Sequence, residues 1–344
     1  MKNVFAHYFT WFSRKDVSGV WEHWNWDGPG TFHNPENIID GHEDIAAVDI
    51  PLIGAYDSSD PEAHKYHLDL AEAAGIDAFC VDWYGTSMTS NKNRDNIVDK
   101  NFEIMLQSAD THSVKICICY EEKILFDEKS ETQVITTGKN HMEYMAKKYF
   151  ESPGYWKVQG RPVLIIWGNN KLTPDAWKQI LEEVEQYNPW IIYSHHDHNP
   201  QYVEICQGFY PWVLLGDLNV QRAYLEDFYR TARKYMKEGK SITFGAGVWP
   251  GFDDSGVCGW GGGTRIIEDK EDELYDLTWK YALESNPEWV SITTWNDWNE
   301  GSNIEPGVKN GTKYLKMTED YITRYKDNTS GVDIHTVLNK YKLF

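Results

Sequence analysis

The chain has 344 residues, of which 41% are hydrophobic and 25% are charged, and its formal net charge at pH 7 is −20. This composition is that of a globular protein with one large domain or two ordinary ones. The acidic balance argues against a nucleic-acid partner and against an anionic membrane surface, because both need a basic face. No apolar run approaches the roughly 20 residues of a membrane-spanning helix.

Strand-like and helical patterns alternate along the chain. The strand-like runs are residues 3–12, 76–85, 114–122, 161–168, 190–196, 204–212, 241–251 and 288–297. The helical runs are residues 64–75, 94–110, 139–150, 173–187, 224–239 and 272–286, and the tail 312–344 carries at least one more helix. Thr173 and Pro174 have the character of a helix N-cap and first helical residue, and Gly75 that of a helix end.

Eight strands that alternate with helices predict parallel βα units. In a chain of this length, they predict an α/β fold, a single-domain (β/α)8 TIM barrel. An open doubly wound sheet is the competing fold, but no glycine-rich phosphate-binding sequence follows the first strand. The segment at about 13–60 is too long for an ordinary connection, and long loops in compact domains are usually functional.

The five cysteines are an odd number and several lie in apolar runs, so we expect reduced, buried thiols. Cys117 and Cys119 form a C-x-C pair, but no matching Cys or His pair accompanies it, and no metal or other cofactor is predicted. Residues 1–12 have a strand pattern rather than that of a signal peptide. Reduced thiols favour the cytoplasm, whereas a removed signal peptide would mean the periplasm or secretion, so the compartment stays open.

Polar and aromatic residues follow the predicted strands, where a TIM barrel carries its active site. Aromatic residues make up 15% of the chain, which is typical of carbohydrate enzymes because the C–H faces of sugars pack on flat rings; a tryptophan-rich core is the alternative. The candidate substrate-binding residues are His7, Tyr8, Trp11, Asp82, Trp83, Tyr84, Glu121, Trp249, Asp253, Trp295, Asn296 and Trp298.

Asp297 and Glu300 lie where the last predicted strand ends, between two tryptophans. Glycosidic cleavage needs two acids at one sugar ring, one that gives a proton to the leaving oxygen and one that assists at the sugar. An apolar wall and a neighbouring acid raise the pKa of one of them. Asp297 and Glu300 are the candidate catalytic residues. The alternative is that they stabilise the first turn of a helix through its dipole.

The sequence "NDWNEG", followed by "IEP", resembles the Asn-Glu-Trp-His-Glu-Gly…Ile-Glu-Pro signature of glycoside hydrolase family ninety-nine, the endo-α-1,2-mannosidases and mannanases. It also resembles the Asn-Glu-Trp-Ala-Glu-Gly of the related WbsX-like proteins of bacterial polysaccharide loci. The stretches "GIDAFCVDWYG", "ICICYEE", "GRPVLIIWG" and "AGVWPGFDD" resemble other strands of the family in the same order. The resemblance covers about residues 75–306.

The resemblance implies a (β/α)8 barrel that cleaves α-mannosidic linkages with retention and without a metal. Glu300 then matches the general acid/base. Asp297 matches the acid that takes the proton of the sugar 2-hydroxyl so that O2 attacks the anomeric carbon, and Glu121 matches a sugar-contacting acid. The family has Glu at the position of Asp297 and His at that of Asn299, and a displacement of about 1 Å can cost on the order of 100-fold in rate.

The expected function is therefore a retaining, endo-acting glycosidase on α-linked, mannose-containing or related oligosaccharides or polysaccharides. Three alternatives remain open at this point. One is a WbsX-like polysaccharide-processing or glycosyl-transferring protein, and another is a glycan-binding barrel without activity. The third is a metal-dependent hydrolase that uses the run "HHDH" at 195–198. The sequence does not fix the sugar, the linkage or the oligomeric state.

Overall fold

The structure is a computed structural model that describes residues 2–86, 97–126, 128, 130–168, 171–194, 200–238, 242–267, 272–327 and 333–343. Eight parallel strands form its centre. The strands are β1 (Asn3–Tyr8), β2 (Ala78–Trp83), β3 (Lys115–Glu121), β4 (Arg161–Trp167), β5 (Trp190–Ser194), β6 (Gly208–Tyr210), β7 (Thr243–Phe244 and Ala246–Val248) and β8 (Trp289–Ile292).

The seventh strand closes this sheet into a barrel. Its first piece pairs with β6 and its second piece pairs with β8, and only Gly245 separates the two pieces. From one piece of β7 round to the other, the strand order is β6, β5, β4, β3, β2, β1 and β8, and all neighbouring strands are parallel. The predicted (β/α)8 barrel is confirmed. Several strands are apolar along their whole length, without alternating polar residues, because both faces of a parallel sheet are covered.

Nine α-helices lie in the described part of the chain. They are α1 (Lys15–Ser18), α2 (Pro61–Ala73), α3 (Ile97–Ser108), α4 (Glu131–Lys148), α5 (Pro174–Leu181), α6 (Leu218–Lys237), α7 (Glu273–Ser285), α8 (Lys313–Lys326) and α9 (Ile334–Lys340). Between β5 and β6 the described residues contain a 3₁₀ helix, Pro200–Glu204, instead of an α-helix. Within these described segments, no helix is both long enough and apolar enough to cross a membrane.

Side-chain caps fix where several helices begin. Thr173 Oγ1 accepts a hydrogen bond from Ala176 N, so the predicted N-cap of α5 is confirmed. Helices α2, α4 and α6 begin earlier than their apolar patterns indicated. The side chains that cap them are Asp60, Ser130 and Asp217, which lie ahead of the first apolar residues.

The long segment between β1 and α2 covers the C-terminal ends of the strands. It contains α1 and two short antiparallel hairpins, Trp26–Gly28 with Thr31–His33 and Ile38–Ile39 with His42–Glu43. Phe12, Trp24 and Tyr56 from this segment pack with Phe9 and Trp298 in a second apolar cluster above the barrel core. The segment is therefore held to the loop that follows β8.

Candidate active site

A cavity of about 870 Å³ opens at the C-terminal ends of the strands. The side chains of six candidate residues line it: Trp11, Asp82, Tyr84, Glu121, Asp297 and Glu300. They come from the ends of β1, β2, β3 and β8, which are far apart in the sequence. The barrel thus gathers four carboxyl groups in one partly enclosed space.

Asp297 and Glu300 belong to one short turn beyond β8. Asp297 N donates to Thr294 Oγ1 at 2.8 Å, and Asp297 Oδ1 accepts from Glu300 N at 3.0 Å. The carboxyl group of Asp297 therefore caps the turn that carries Glu300, which explains the spacing of three between the two acids. The predicted strand run 288–297 extends to Asp297, but β8 ends at Ile292, so the expectation that Asp297 is the last extended residue is wrong.

Burial and the neighbouring charge of Glu300 raise the pKa of Asp297 well above its ordinary value. Burial also raises the pKa of Glu300. Here hydrogen bonding to Trp260 and the charges of Arg265 and Lys123 act in the opposite direction, because they favour the ionised carboxylate. Burial therefore disfavours the ionised form of both adjacent acids, and at Glu300 nearby donors and cations partly offset this effect.

Glu121 and Asp82 form a second acidic pair on the floor of the cavity. Burial raises the pKa of Glu121 to about 8, against the charge of Lys123 and with the help of the negative charge of Asp82. Lys123 Nζ lies 3.6 Å from Glu121 Oε2. Asp82 Oδ1 lies 3.0 Å from Nδ1 of His7, whose Nε2 lies 2.7 Å from the hydroxyl of Tyr210. His7 thus supports Asp82 from below the cavity.

Aromatic side chains form two walls on the sides of the cavity. One wall is built by the segment after β1 and the loop after β7: the ring of Trp11 stacks on that of His23 at 4.3 Å, and Trp26 meets Trp260 edge-to-face at 5.9 Å. The other wall is Trp167 and Trp212, from the ends of β4 and β6, with ring centroids 4.2 Å apart. Several flat rings in the cavity that holds the acids suit a chain of sugars.

Comparison with known proteins assigns the fold and the chemistry. The model of glycosyl hydrolase family 99 matches residues 1–332. The chain belongs to this family. It is 22% identical to the rat glycoprotein endo-alpha-1,2-mannosidase, over 94% of this chain and 75% of the relative, and 24% identical to that of Xenopus laevis, over 92% and 72%. The family 99 endo-alpha-mannosidase structure from Bacteroides thetaiotaomicron superposes with a TM-score of 0.75 at 24% identity, covering 94% of this chain and 98% of that one.

Membership of family 99 makes the protein a glycoside hydrolase with a glycan substrate, as the sequence predicted. The departures from the family signature lie inside the cavity. Asp297 lines it in place of Glu, and Asn299 lines it in place of His. Asn299 Nδ2 donates to the backbone oxygens of His23 and Ala46, so this side chain ties the segment after β1 to the turn that bears the acids.

Four candidate residues lie on the outer side of the barrel or behind the turn. Tyr8 Oη lies 2.8 Å from His67 Nδ1 on α2, and Trp83 Nε1 donates to Asp99 on α3. Strand alternation explains both positions, because Asp82 faces inward and its neighbour Trp83 outward. The remaining two are Trp295 and Trp298, both fully buried.

Strand alternation over the predicted run 288–297 would point Trp295 to the same side as Asp297, and this expectation is wrong. The alternation of a strand does not extend past Ile292, and the ring of Trp295 packs against Phe79 at 4.9 Å. Trp298 belongs to the second apolar cluster, and its Nε1 donates to Glu305 Oε2 at 2.9 Å. These rings support the turn from behind instead of touching the cavity.

The other candidates support the site through the backbone. Asn296 is fully buried and bonds both N and O of Phe9, which joins the ends of β1 and β8. Asp253 N donates to the backbone oxygen of Glu300 at 2.7 Å, while its carboxylate accepts from Ser255 N. Trp249 is fully buried in the main apolar core.

Several residues of the cavity were not among the candidate site residues of the sequence: Trp21, His23, Trp26, Lys123, Trp167, Trp212, Trp260, Arg265 and Asn299. Trp167 and Trp212 follow predicted strands, so their position carried a usable signal. Trp260 and Arg265 lie in a glycine-rich stretch without periodicity, and nothing local in that stretch indicates which way they point.

All five cysteines are free thiols, and four of them are buried. In the described part of the chain, the ligand atoms of His7, Cys80 and Cys119 are the one group close enough to hold a metal ion, within 4.8 Å of one another. Both ring nitrogens of His7 already have partners, Asp82 and Tyr210. The "HHDH" run at 195–198, which the metal hypothesis needed, lies outside the described residues.

Proposed function

We propose that this family 99 member is a retaining endo-glycosidase that cleaves α-1,2-linked or related mannose-containing glycans, with Asp297 and Glu300 as its catalytic pair. The observation that carries the proposal is that both acids line one cavity between two aromatic walls and both have raised pKa values. The linkage is taken from the rat and Xenopus relatives, which are named endo-alpha-1,2-mannosidases.

In the proposed reaction Glu300 gives its proton to the glycosidic oxygen as the bond to the anomeric carbon breaks. Asp297 takes the proton of the 2-hydroxyl, so that O2 attacks the anomeric carbon; direct attack by the carboxylate of Asp297 is the other possible route. Water then attacks the anomeric carbon and breaks its bond to O2; Glu300 receives a proton from that water, and Asp297 returns its proton to O2. The backbone N–H of Glu300, 3.0 Å from Asp297 Oδ1, favours the ionised form that the step requires.

The walls support an endo mode of attack. Two groups of rings, one from the segment after β1 and the loop after β7 and one from the ends of β4 and β6, line the same cavity as the acids, so more than one sugar residue could stack near the cleaved bond.

The test compares Glu300→Gln and Asp297→Asn on two substrates, an α-1,2-linked manno-oligosaccharide and an aryl α-glycoside with a good leaving group. General acid assistance is typically worth about 100- to 10,000-fold. Glu300→Gln should lose that much kcat/KM on the oligosaccharide and much less on the aryl glycoside, which needs no proton to depart. Asp297→Asn should lose activity on both substrates alike.

Glu22→Gln is the matched control, because Glu22 lines the same cavity from the segment after β1. Its loss should stay below about 10-fold, since no general acid is removed. Proton NMR of the first anomer released decides between retention and inversion. Full activity of Glu300→Gln on the oligosaccharide, or an inverted first product, would refute the proposal.

A further inference from the structure

The loop after β7 reaches over the cavity and contacts the carboxyl group of Glu300. Trp260 Nε1 donates to Glu300 Oε1 at 3.0 Å, and Arg265 Nη2 lies 3.5 Å from the same oxygen. The two donors therefore converge on one atom. Within the described segments, no residue donates a hydrogen bond to Glu300 Oε2.

A buried carboxylate fixes Arg265 in this position. Asp254 is fully buried, and its two oxygens accept from the backbone N and from Nε of Arg265, each at 2.6 Å. The guanidinium also lies over the ring of Phe252, with 5.1 Å from its carbon to the centroid. Arg265 is thus aimed at Glu300 by contacts that do not involve Glu300. Charge-assisted bonds with a fixed fork geometry are the strong ones among protein hydrogen bonds.

The backbone joins the same two loops. Asp253 N donates to the backbone oxygen of Glu300 at 2.7 Å, just ahead of the 3₁₀ turns Ser255–Val257 and Gly259–Gly261 that carry Trp260. The position of Trp260 is therefore coupled to that of the turn bearing the acids. The side chain of Glu300 is 24% exposed, on the cavity side.

We infer that Trp260 and Arg265 are positioning residues that hold Glu300 by Oε1 and leave Oε2 as the atom that exchanges the proton with the glycan. The inference rests on the proposed role of Glu300 as general acid/base. A carboxylic acid held at one oxygen presents the other in a fixed direction, and proton transfer requires hydrogen-bond geometry to the leaving oxygen. The loop after β7 thus orients an acid that the loop after β8 supplies.

The contacts have a consequence for pH dependence. The charged groups that face Glu300 are Asp297 on its own turn, Asp254 and Arg265 on the loop after β7, and Lys123 beyond β3. A donor to Oε1 favours the ionised carboxylate, so removing it raises the pKa of Glu300. The acid must be protonated to act, and kcat/KM falls as the pH rises through that pKa. Loss of the donor therefore moves the high-pH limb to higher pH.

The experiment measures kcat/KM against pH on an α-1,2-linked manno-oligosaccharide for the wild type, Trp260→Phe and Arg265→Gln. Trp260→Phe keeps a ring but removes the N–H, and its high-pH limb should move up by about 0.5 to 1 pH unit. Arg265→Gln should move it in the same direction. Trp26→Phe is the matched control: its ring lines the same cavity and contacts Trp260, but its nitrogen has no partner within the described segments.

The high-pH limb of Trp26→Phe should stay within about 0.2 pH unit of that of the wild type, which is roughly the error of such profiles. If Trp260→Phe and Arg265→Gln only lower kcat/KM equally at every pH, the two residues stack on substrate or support the loop, and the inference is refuted. Glu300→Gln separates this outcome from failure of the proposed function. A high-pH limb that persists in Glu300→Gln shows that Glu300 is not the acid. If the high-pH limb vanishes in Glu300→Gln but does not move in Trp260→Phe and Arg265→Gln, only the positioning role of Trp260 and Arg265 is refuted, and the proposed role of Glu300 stands.

Discussion

Glu305 is expected to be one of the most sensitive positions for stability, although it lies outside the cavity. Its side chain is fully buried, with Oε1 3.0 Å from His67 Nε2, and its Oε2 accepts from Tyr56 Oη at 3.0 Å and from Trp298 Nε1 at 2.9 Å. On its other side, His67 Nδ1 lies 2.8 Å from the hydroxyl oxygen of Tyr8. This network joins β1, α2, the segment after β1 and the turn that bears the two acids.

Glu305→Ala removes the acceptor for three buried groups and leaves a cavity. Breaking a buried, charged network of this kind costs about 3–5 kcal/mol. The entropy of unfolding is about 2.1 cal/mol/K per residue near 60 °C, which for 344 residues is about 0.7 kcal/mol/K. The expected fall in Tm is therefore about 4–7 °C. Glu305→Gln should lose less, because a change of His67 tautomer lets the amide donate to Nε2 while its oxygen serves Tyr56 and Trp298.

The assay is thermal unfolding followed by circular dichroism and tryptophan fluorescence at one fixed scan rate. Glu284→Ala is the control, because the side chain of Glu284 is 61% exposed and should cost less than about 0.5 kcal/mol. The activity of the folded Glu305→Ala protein should also fall, since the network fixes the catalytic turn. A Tm within 1 °C of the wild type for Glu305→Ala would show that the network does not carry the assigned energy.

Three further outcomes follow from the site. Glu121, with a pKa raised to about 8, is protonated at neutral pH, so Glu121→Gln should keep kcat/KM within about 10-fold at pH 6. The raised pKa makes the folded wild type lose stability as the pH rises from about 4.5 to about 8. The Tm of Glu121→Gln should therefore rise relative to that of the wild type over this pH window. Gly30 has φ +90°, and a Cβ there would overlap Cys258 Sγ, so Gly30→Ala should lower the Tm and raise KM, with partial relief by Cys258→Ala, as measured by melting and kinetics. Trp212→Ala should raise KM for an oligosaccharide by at least about 10-fold and for an aryl monoglycoside by much less, and equal effects would mean that Trp212 is not a sugar platform.

The barrel was predictable because its signals are local. Apolar runs, breaks and caps such as Thr173 mark each βα unit without knowledge of the partners. The site was predictable only in part. Glu121, Asp297 and Glu300 follow strands and have the right chemistry, whereas Trp295 was assigned a direction by extending the alternation of β8 past Ile292, where the strand already ends.

The segment around Trp260 and Arg265 shows a different limit. Its glycines allow many conformations, and the one adopted is selected by Asp254 and by the backbone bond to Glu300. Such long-range contacts leave no periodic pattern in the sequence. The same holds for the segment after β1, whose position depends on Asn299 and on the second apolar cluster. Local sequence thus specified the scaffold, and tertiary contacts chose which side chains reach the substrate.

The two acids beyond β8 stand in unequal surroundings, and this inequality bears on the form that each must take in the proposed reaction. Asp297 is buried beside Glu300 and Asp82, whose charges add to the rise in its pKa, whereas Trp260, Arg265 and Lys123 offset the rise for Glu300. The protein around Asp297 thus opposes its ionised form, which the proposed reaction needs, while hydrogen bonding and nearby cations partly offset the same effect at Glu300. A glycan supplies what Asp297 lacks: positive charge developing at the anomeric carbon stabilises its carboxylate as the leaving oxygen takes a proton from Glu300. Interactions that strengthen only as the bond breaks are those that accelerate a reaction, so surroundings that oppose an ionised Asp297 at rest are compatible with catalysis.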